Sequence, residues 1–140
     1  EAQYIAGMGF SNVGLGIVHS MAHPLGAFYD TPHGVANATL LPYVMEYNAE
    51  PPSRAKYLDI ARAMGVKTDG MSVDEGVRAA VDAVKALSLS IRIPQRLHEL
   101  GVREEDIPAL AVAAFNDVCT GGNPRPTSVE EIERLYHIAY

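Results

Sequence analysis

The chain has 140 residues, about one domain, with 48% hydrophobic and 20% charged residues, a balance that excludes a disordered or low-complexity polymer. Eleven Lys and Arg against 17 Asp and Glu leave a net charge of −6, which gives no electrostatic basis for a nucleic-acid partner. Glycine and proline interrupt every apolar run before membrane-spanning length, and the single cysteine, Cys119, cannot form an internal disulfide; the expectation is a soluble protein of the cytoplasm.

No segment shows the period-two alternation of a strand, whereas helical spacing recurs throughout, so the expectation is an all-α bundle of about seven helices. The first, over residues 2 to 9, begins at once from Glu1, as though continued from a longer chain. Ser11-Asn12 reads as the cap of a second helix carrying Val13, Ile17, Ser20 and Met21, with a bend expected at Pro24. Thr31 suits the N-cap and Pro32 the first position of a third helix running towards Asn48, which puts His33 in its first turn.

A fourth helix carries Tyr57, Ile60, Ala61 and Met64 on one stripe and stops at Gly65, which is suited to a left-handed cap. Capping boxes are expected at Ser72 with Glu75 and at Thr127 with Glu130. The helix from 73 to 89 presents Val73, Val77, Ala80, Val81, Val84 and Leu87. The helix from 104 to 118 presents Ile107, Leu110, Ala111, Ala114, Phe115 and Val118. No repeat or linker divides the chain, so residues 1–140 are read as one domain.

Three of the five histidines, His19, His23 and His33, fall within "VHSMAHPLGAFYDTPHG". His19 and His23, four apart, share a helix face, and His33 can return to the same locus if the chain turns between Pro24 and Pro32. Imidazole is the commonest protein ligand for zinc and iron, so a metal site is one reading; two ordinary polar residues is the other. A catalytic ion takes at least three protein ligands, and no HExxH, ExxH or cysteine cluster completes a set, so the remainder comes from another segment or there is no metal. Glycines 7, 9, 14, 16, 26 and 34 frame the histidines and suggest close approach, by tight helix packing at Gly14 and Gly16. His98 and His137 are expected on the surface. "TGGN" lacks the lysine of a phosphate loop and reads as a helix-ending turn.

The stretch "GMGFSNVGLGIVHSMAHPLGAFYDTPHGVANATLLP", extended by "IARAMGV", "EDIPALA" and "DVCTGGNPRP", resembles the iron-containing, group III alcohol dehydrogenases over the whole chain. The resemblance implies the C-terminal helical domain of a two-domain enzyme whose N-terminal α/β domain binds NAD. It implies a metal, Fe²⁺ or alternatively Zn²⁺, in the interdomain cleft, with His19 and His33 as two of its ligands and an aspartate and a further histidine supplied from upstream. His23 then lies near the nicotinamide and substrate and relays the proton. Phe10 and Cys119 resemble wall residues of a pocket for a small alcohol, diol or aldehyde. A homodimer is implied for the longer enzyme, and no activity for these residues alone. The competing expectation is a non-catalytic helical interaction module with structural histidines; a metal-storing bundle would need carboxylates at matched positions, which are absent.

Overall fold

In the computed structural model, which describes residues 1–140, the chain forms seven α-helices and no strand. They are α1 (Ala2–Phe10), α2 (Ile17–Tyr29), α3 (His33–Asn48), α4 (Tyr57–Ala63), α5 (Val73–Ser90), α6 (Ile107–Phe115) and α7 (Val129–Ala139), with short 3₁₀ turns between several of them. No helix is long and apolar enough to cross a membrane.

The packing follows the apolar faces. α2 lies between α3 and α6, and α7 closes over α6 and α3. Their inward residues form one core that includes Ile17, Met21, Leu25, Leu40, Leu110, Ile132 and Tyr136, joined by Leu97 and Val102 from the turns before α6. A smaller core of Ala49, Tyr57, Ala61, Ala80 and Val81 joins α4 and α5 to the end of α3. Tyr136 is wholly buried; its hydroxyl donates to the Met21 carbonyl at 2.6 Å, which satisfies the one polar atom it carries into the core. By contrast α1 buries no residue, and Tyr4, Ile5 and Met8 are each more than half exposed.

Several helix starts differ from the sequence expectation. Ser11 and Asn12 end α1 instead of opening α2: Ser11 is the C-cap, and the Asn12 amide donates to the Met8 carbonyl at 2.7 Å. The chain then turns at Gly14, at φ +82 in the left-handed region, and α2 begins only at Ile17. Gly14 therefore serves the turn and not close packing, while Gly16 does meet a neighbour, its Cβ position lying 3.0 Å from Asn123 Oδ1. Pro24 does not break α2, which runs unbroken to Tyr29 with Pro24 buried; the reversal falls at Asp30, held left-handed at φ 53.

At α3 the cap lies one residue later than expected: Pro32 is the N-cap, His33 the first helical residue, and the buried Thr31 hydroxyl caps nothing. The box at Ser72 forms as expected, with Ser72 N–H donating to Glu75 Oε2 at 2.7 Å. The second does not form at Thr127; Ser128 caps α7 by accepting from Glu131 N–H at 3.3 Å. Gly65, at φ +88, follows α4 as expected. The apolar stripes are shorter than their sequence periods, since α6 stops at Phe115, Val118 is 94% exposed beyond it, and Leu87 faces solvent on α5.

Candidate functional site

The continuous α2 sets His19 and His23 one turn apart, and the reversal at Asp30–Pro32 brings the start of α3 back beside them. The His33 ring centroid is 5.4 Å from each of the other two, and those two are 6.2 Å apart. Residues 19 and 33 therefore stand on the same side of the bundle. His33 is exposed; His19 and His23 are half-buried. Burial, reinforced by the neighbouring His33 and His23 rings, pushes His19 below the ordinary imidazole value against an opposing pull from Asp117. That direction favours the neutral imidazole, the form in which histidine ligates a metal.

Beside this cluster runs the segment from Asp117 to Thr127, strapped along one line of α2. Asn123 Oδ1 accepts from Ile17 N–H at 3.3 Å, Thr120 Oγ1 is hydrogen-bonded to Ser20 Oγ at 2.8 Å, and Asp117 Oδ2 lies 2.7 Å from His23 Nδ1. Ile17, Ser20 and His23 are three apart, so all three anchors fall on the same ridge of the helix. Gly122 permits the approach: a Cβ there would stand 2.1 Å from the Leu15 carbonyl oxygen.

The partners of Asp117 and Asn123 lie 94 and 106 positions away, so although both residues fall within "DVCTGGNPRP", no local spacing points to their contacts. Burial alone would raise the Asp117 pKa, but the Cys119 N–H and the His23 ring hold its carboxyl below the ordinary carboxylate range. Burial, with that carboxylate alongside, raises the Cys119 thiol, so Cys119 stays protonated near neutrality.

His23, Asp117 and Cys119 also have donor atoms within 4.8 Å of one another. Within this trio both carboxylate oxygens of Asp117 already have hydrogen-bond partners, His23 Nδ1 at Oδ2 and the Cys119 N–H at Oδ1. His19 and His33, with ring centroids 5.4 Å apart, offer a first-row divalent ion two nitrogen donors of intermediate softness as a partial set, and the Asn37 amide lies 3.2 Å from His33 Nε2. Phe10 ends α1 and is 43% exposed. Cys119 is half-buried two residues from Asp117, where its N–H donates to Asp117 Oδ1 at 2.8 Å. The largest cleft, about 510 Å³ and lined by Phe115, Asp117, Thr120, Asn123 and Pro124 among others, shares only Asp117 with the imidazole group. His98 and His137 are exposed, as expected.

The all-α bundle presents three imidazoles at the junction of two helices. The chain belongs to the Fe-containing alcohol dehydrogenase family, whose C-terminal model matches residues 1–140. It is similar to lactaldehyde reductase of Escherichia coli (strain K12), being 66% identical over 138 residues that make up 99% of this chain and 36% of that protein. It is also 47% identical over 141 residues to 1,3-propanediol dehydrogenase of Citrobacter freundii, again covering 99% of this chain and 36% of the relative. Among solved structures, an alcohol dehydrogenase from Oenococcus oeni superposes with a TM-score of 0.90 at 42% identity, over 96% of this chain and 35% of that one. The chain thus spans about 36% of the length of the curated relatives it matches.

Proposed function

We propose that this chain is the metal-holding helical part of an NAD-linked oxidoreductase that interconverts a short alcohol or diol and its aldehyde, of the lactaldehyde and 1,2-propanediol type. One observation carries the reading: on a chain of this family, His19, His23 and His33 converge at a single junction of α2 and α3. His19 and His33 hold the ion, Fe²⁺ or alternatively Zn²⁺. Such an ion would supply Lewis acidity towards an alcohol oxygen, and a nicotinamide dinucleotide would supply the hydride chemistry.

This chain's own residues do the rest. His23 takes up the proton that the alcohol loses, acting as a general base through its imidazole. Cys119, held protonated, offers a neutral wall beside it, and Phe10 offers an apolar one from α1. The remaining ligands and most of the NAD site come from an N-terminal domain outside these residues; an all-α chain has no strand–turn–helix unit to cradle a pyrophosphate. Residues 1–140 alone therefore turn over no substrate.

The test uses the full-length protein that carries this chain. His19→Ala and His33→Ala should each strip most of the bound iron and abolish reduction of lactaldehyde. Unaltered iron content and turnover in both would overturn the assignment.

A further inference from the structure

Asp117 is tied at both carboxylate oxygens: Oδ2 lies 2.7 Å from His23 Nδ1, and Oδ1 accepts from Cys119 N–H at 2.8 Å. It sits just past the end of α6, where its own N–H donates to the Ala114 carbonyl at 3.1 Å and its carbonyl accepts from Thr120 N–H at 3.1 Å, so the carboxylate is held at a fixed place beside α2. Its side chain is 17% exposed against 39% for His23, so the carboxylate is the inner partner and the ring the outer one.

We infer that Asp117 is a positioning residue that fixes the orientation and tautomer of His23, keeping the proton on Nδ1 and leaving Nε2 bare. An ionised carboxylate has no proton to give, so in the Asp117–His23 bond the imidazole must donate. A neutral imidazole carries one N–H; with it committed to Asp117, the other nitrogen is an acceptor. His23 Nε2 has no hydrogen bond from the protein and is free to receive a proton from outside the chain. If the alcohol O–H proton moves to Nε2, the imidazolium that results still donates from Nδ1 to Asp117, which stabilises its charge without itself becoming protonated. The inference rests on the proposed role of His23 as proton carrier.

The geometry makes an unusual demand on Asp117→Asn. The Cys119 N–H requires an oxygen at the Oδ1 position, so an asparagine that keeps that bond must turn its NH₂ towards His23 Nδ1. Nδ1 then has to accept, and the single ring proton is forced onto Nε2. The isosteric variant locks the wrong tautomer, whereas Asp117→Ala merely releases the ring. A purely structural role predicts the opposite order, with Asn mild and Ala severe.

Both variants are made in the full-length protein and compared for kcat, KM and iron content, and the zinc-loaded, ¹⁵N-histidine-labelled forms are compared by long-range ¹H–¹⁵N spectra at about pH 8, above the ordinary imidazole value. The expected result is iron content like the wild type, KM within about 3-fold, and a kcat loss of about 10–100-fold, of the size usual for residues that orient a functional histidine. The loss in Asp117→Asn should be at least as large as in Asp117→Ala. His23 should be protonated at Nδ1 in the wild type and at Nε2 in Asp117→Asn. Near-normal kcat in Asp117→Asn beside a crippled Asp117→Ala, or one unchanged His23 tautomer in wild type and Asp117→Asn, would overturn the inference. Iron retained in both His19→Ala and His33→Ala would instead overturn the functional reading, and the tautomer comparison would still decide the role of Asp117.

Discussion

Replacing Asn123 by alanine should loosen the joint that holds the 117–127 segment against α2 and α3. Asn123 Oδ1 accepts from Ile17 N–H (3.3 Å) and Asn48 Nδ2 (2.9 Å), while its Nδ2 donates to Asn48 Oδ1 (2.8 Å) and to the Arg125 carbonyl (2.7 Å). Four bonds at a net contribution of about 1 kcal/mol each set a ceiling near 4 kcal/mol; the site is only part-buried, so water recovers some of them and about 2–3 kcal/mol is expected. Asn48→Ala removes two of the same four bonds and should cost about half as much. Because those two bonds are shared, the double variant should fall short of the sum by about 1–1.5 kcal/mol. Denaturant unfolding reads all three through the midpoint at constant slope. A loss below about 0.5 kcal/mol for Asn123→Ala, or strict additivity in the double variant, would refute the joint as described.

Gly122→Ala forces a methyl group onto the Leu15 carbonyl, and since that neighbour is backbone it cannot swing aside; a loss of about 1–3 kcal/mol is expected by thermal unfolding, and none would show that the approach is not as close as described. Ser72→Ala removes the hydroxyl that accepts from Glu75 N–H, one half of the α5 capping box, while the backbone N–H that donates to Glu75 stays; it should cost about 1 kcal/mol, measured as a shift in denaturant midpoint. The Cys119 thiol, raised by burial and by Asp117, should alkylate with iodoacetamide at about pH 8 more slowly than an unperturbed thiol, which has a pKa near 8.5. In Asp117→Ala that rate should rise; an equal rate in both proteins would remove Asp117 as a cause.

What the sequence makes legible here is what short-range chemistry decides. The Ser72 and Glu75 pair, three apart, can satisfy each other's backbone groups without help from elsewhere, and α5 starts there. His19 and His23, four apart on a helix, meet the same condition. The errors lie where two local signals compete or where the partner is remote. Ser11-Asn12 offers a cap to either helix, and only the left-handed turn at Gly14 decides that it closes α1. The cap expected at Thr127 fails because tertiary placement leaves its hydroxyl buried without a partner, and Ser128 caps α7 instead. Pro24 lacks the N–H that the interior of a helix requires, yet its ring is buried in α2, and packing of that helix between α3 and α6 outweighs the missing bond.

The site divides in the same way. Its histidines announce themselves by residue type and spacing, whereas Asp117, though it opens "DVCTGGNPRP", has no visible partner until the fold sets it against His23. Asn123 likewise gains its meaning only from Ile17 and Asn48, brought to it by α2 and α3. Residues whose role is to hold another residue carry no signature of their own in one sequence.

The most direct measurement is the position of the metal itself, by anomalous scattering at the iron edge from crystals of the full-length protein. The account predicts an iron peak within bonding distance of ring nitrogens of both His19 and His33, with His23 outside the coordination sphere and still bonded to Asp117. A peak seated among His23, Asp117 and Cys119, leaving His19 and His33 unligated, would contradict it.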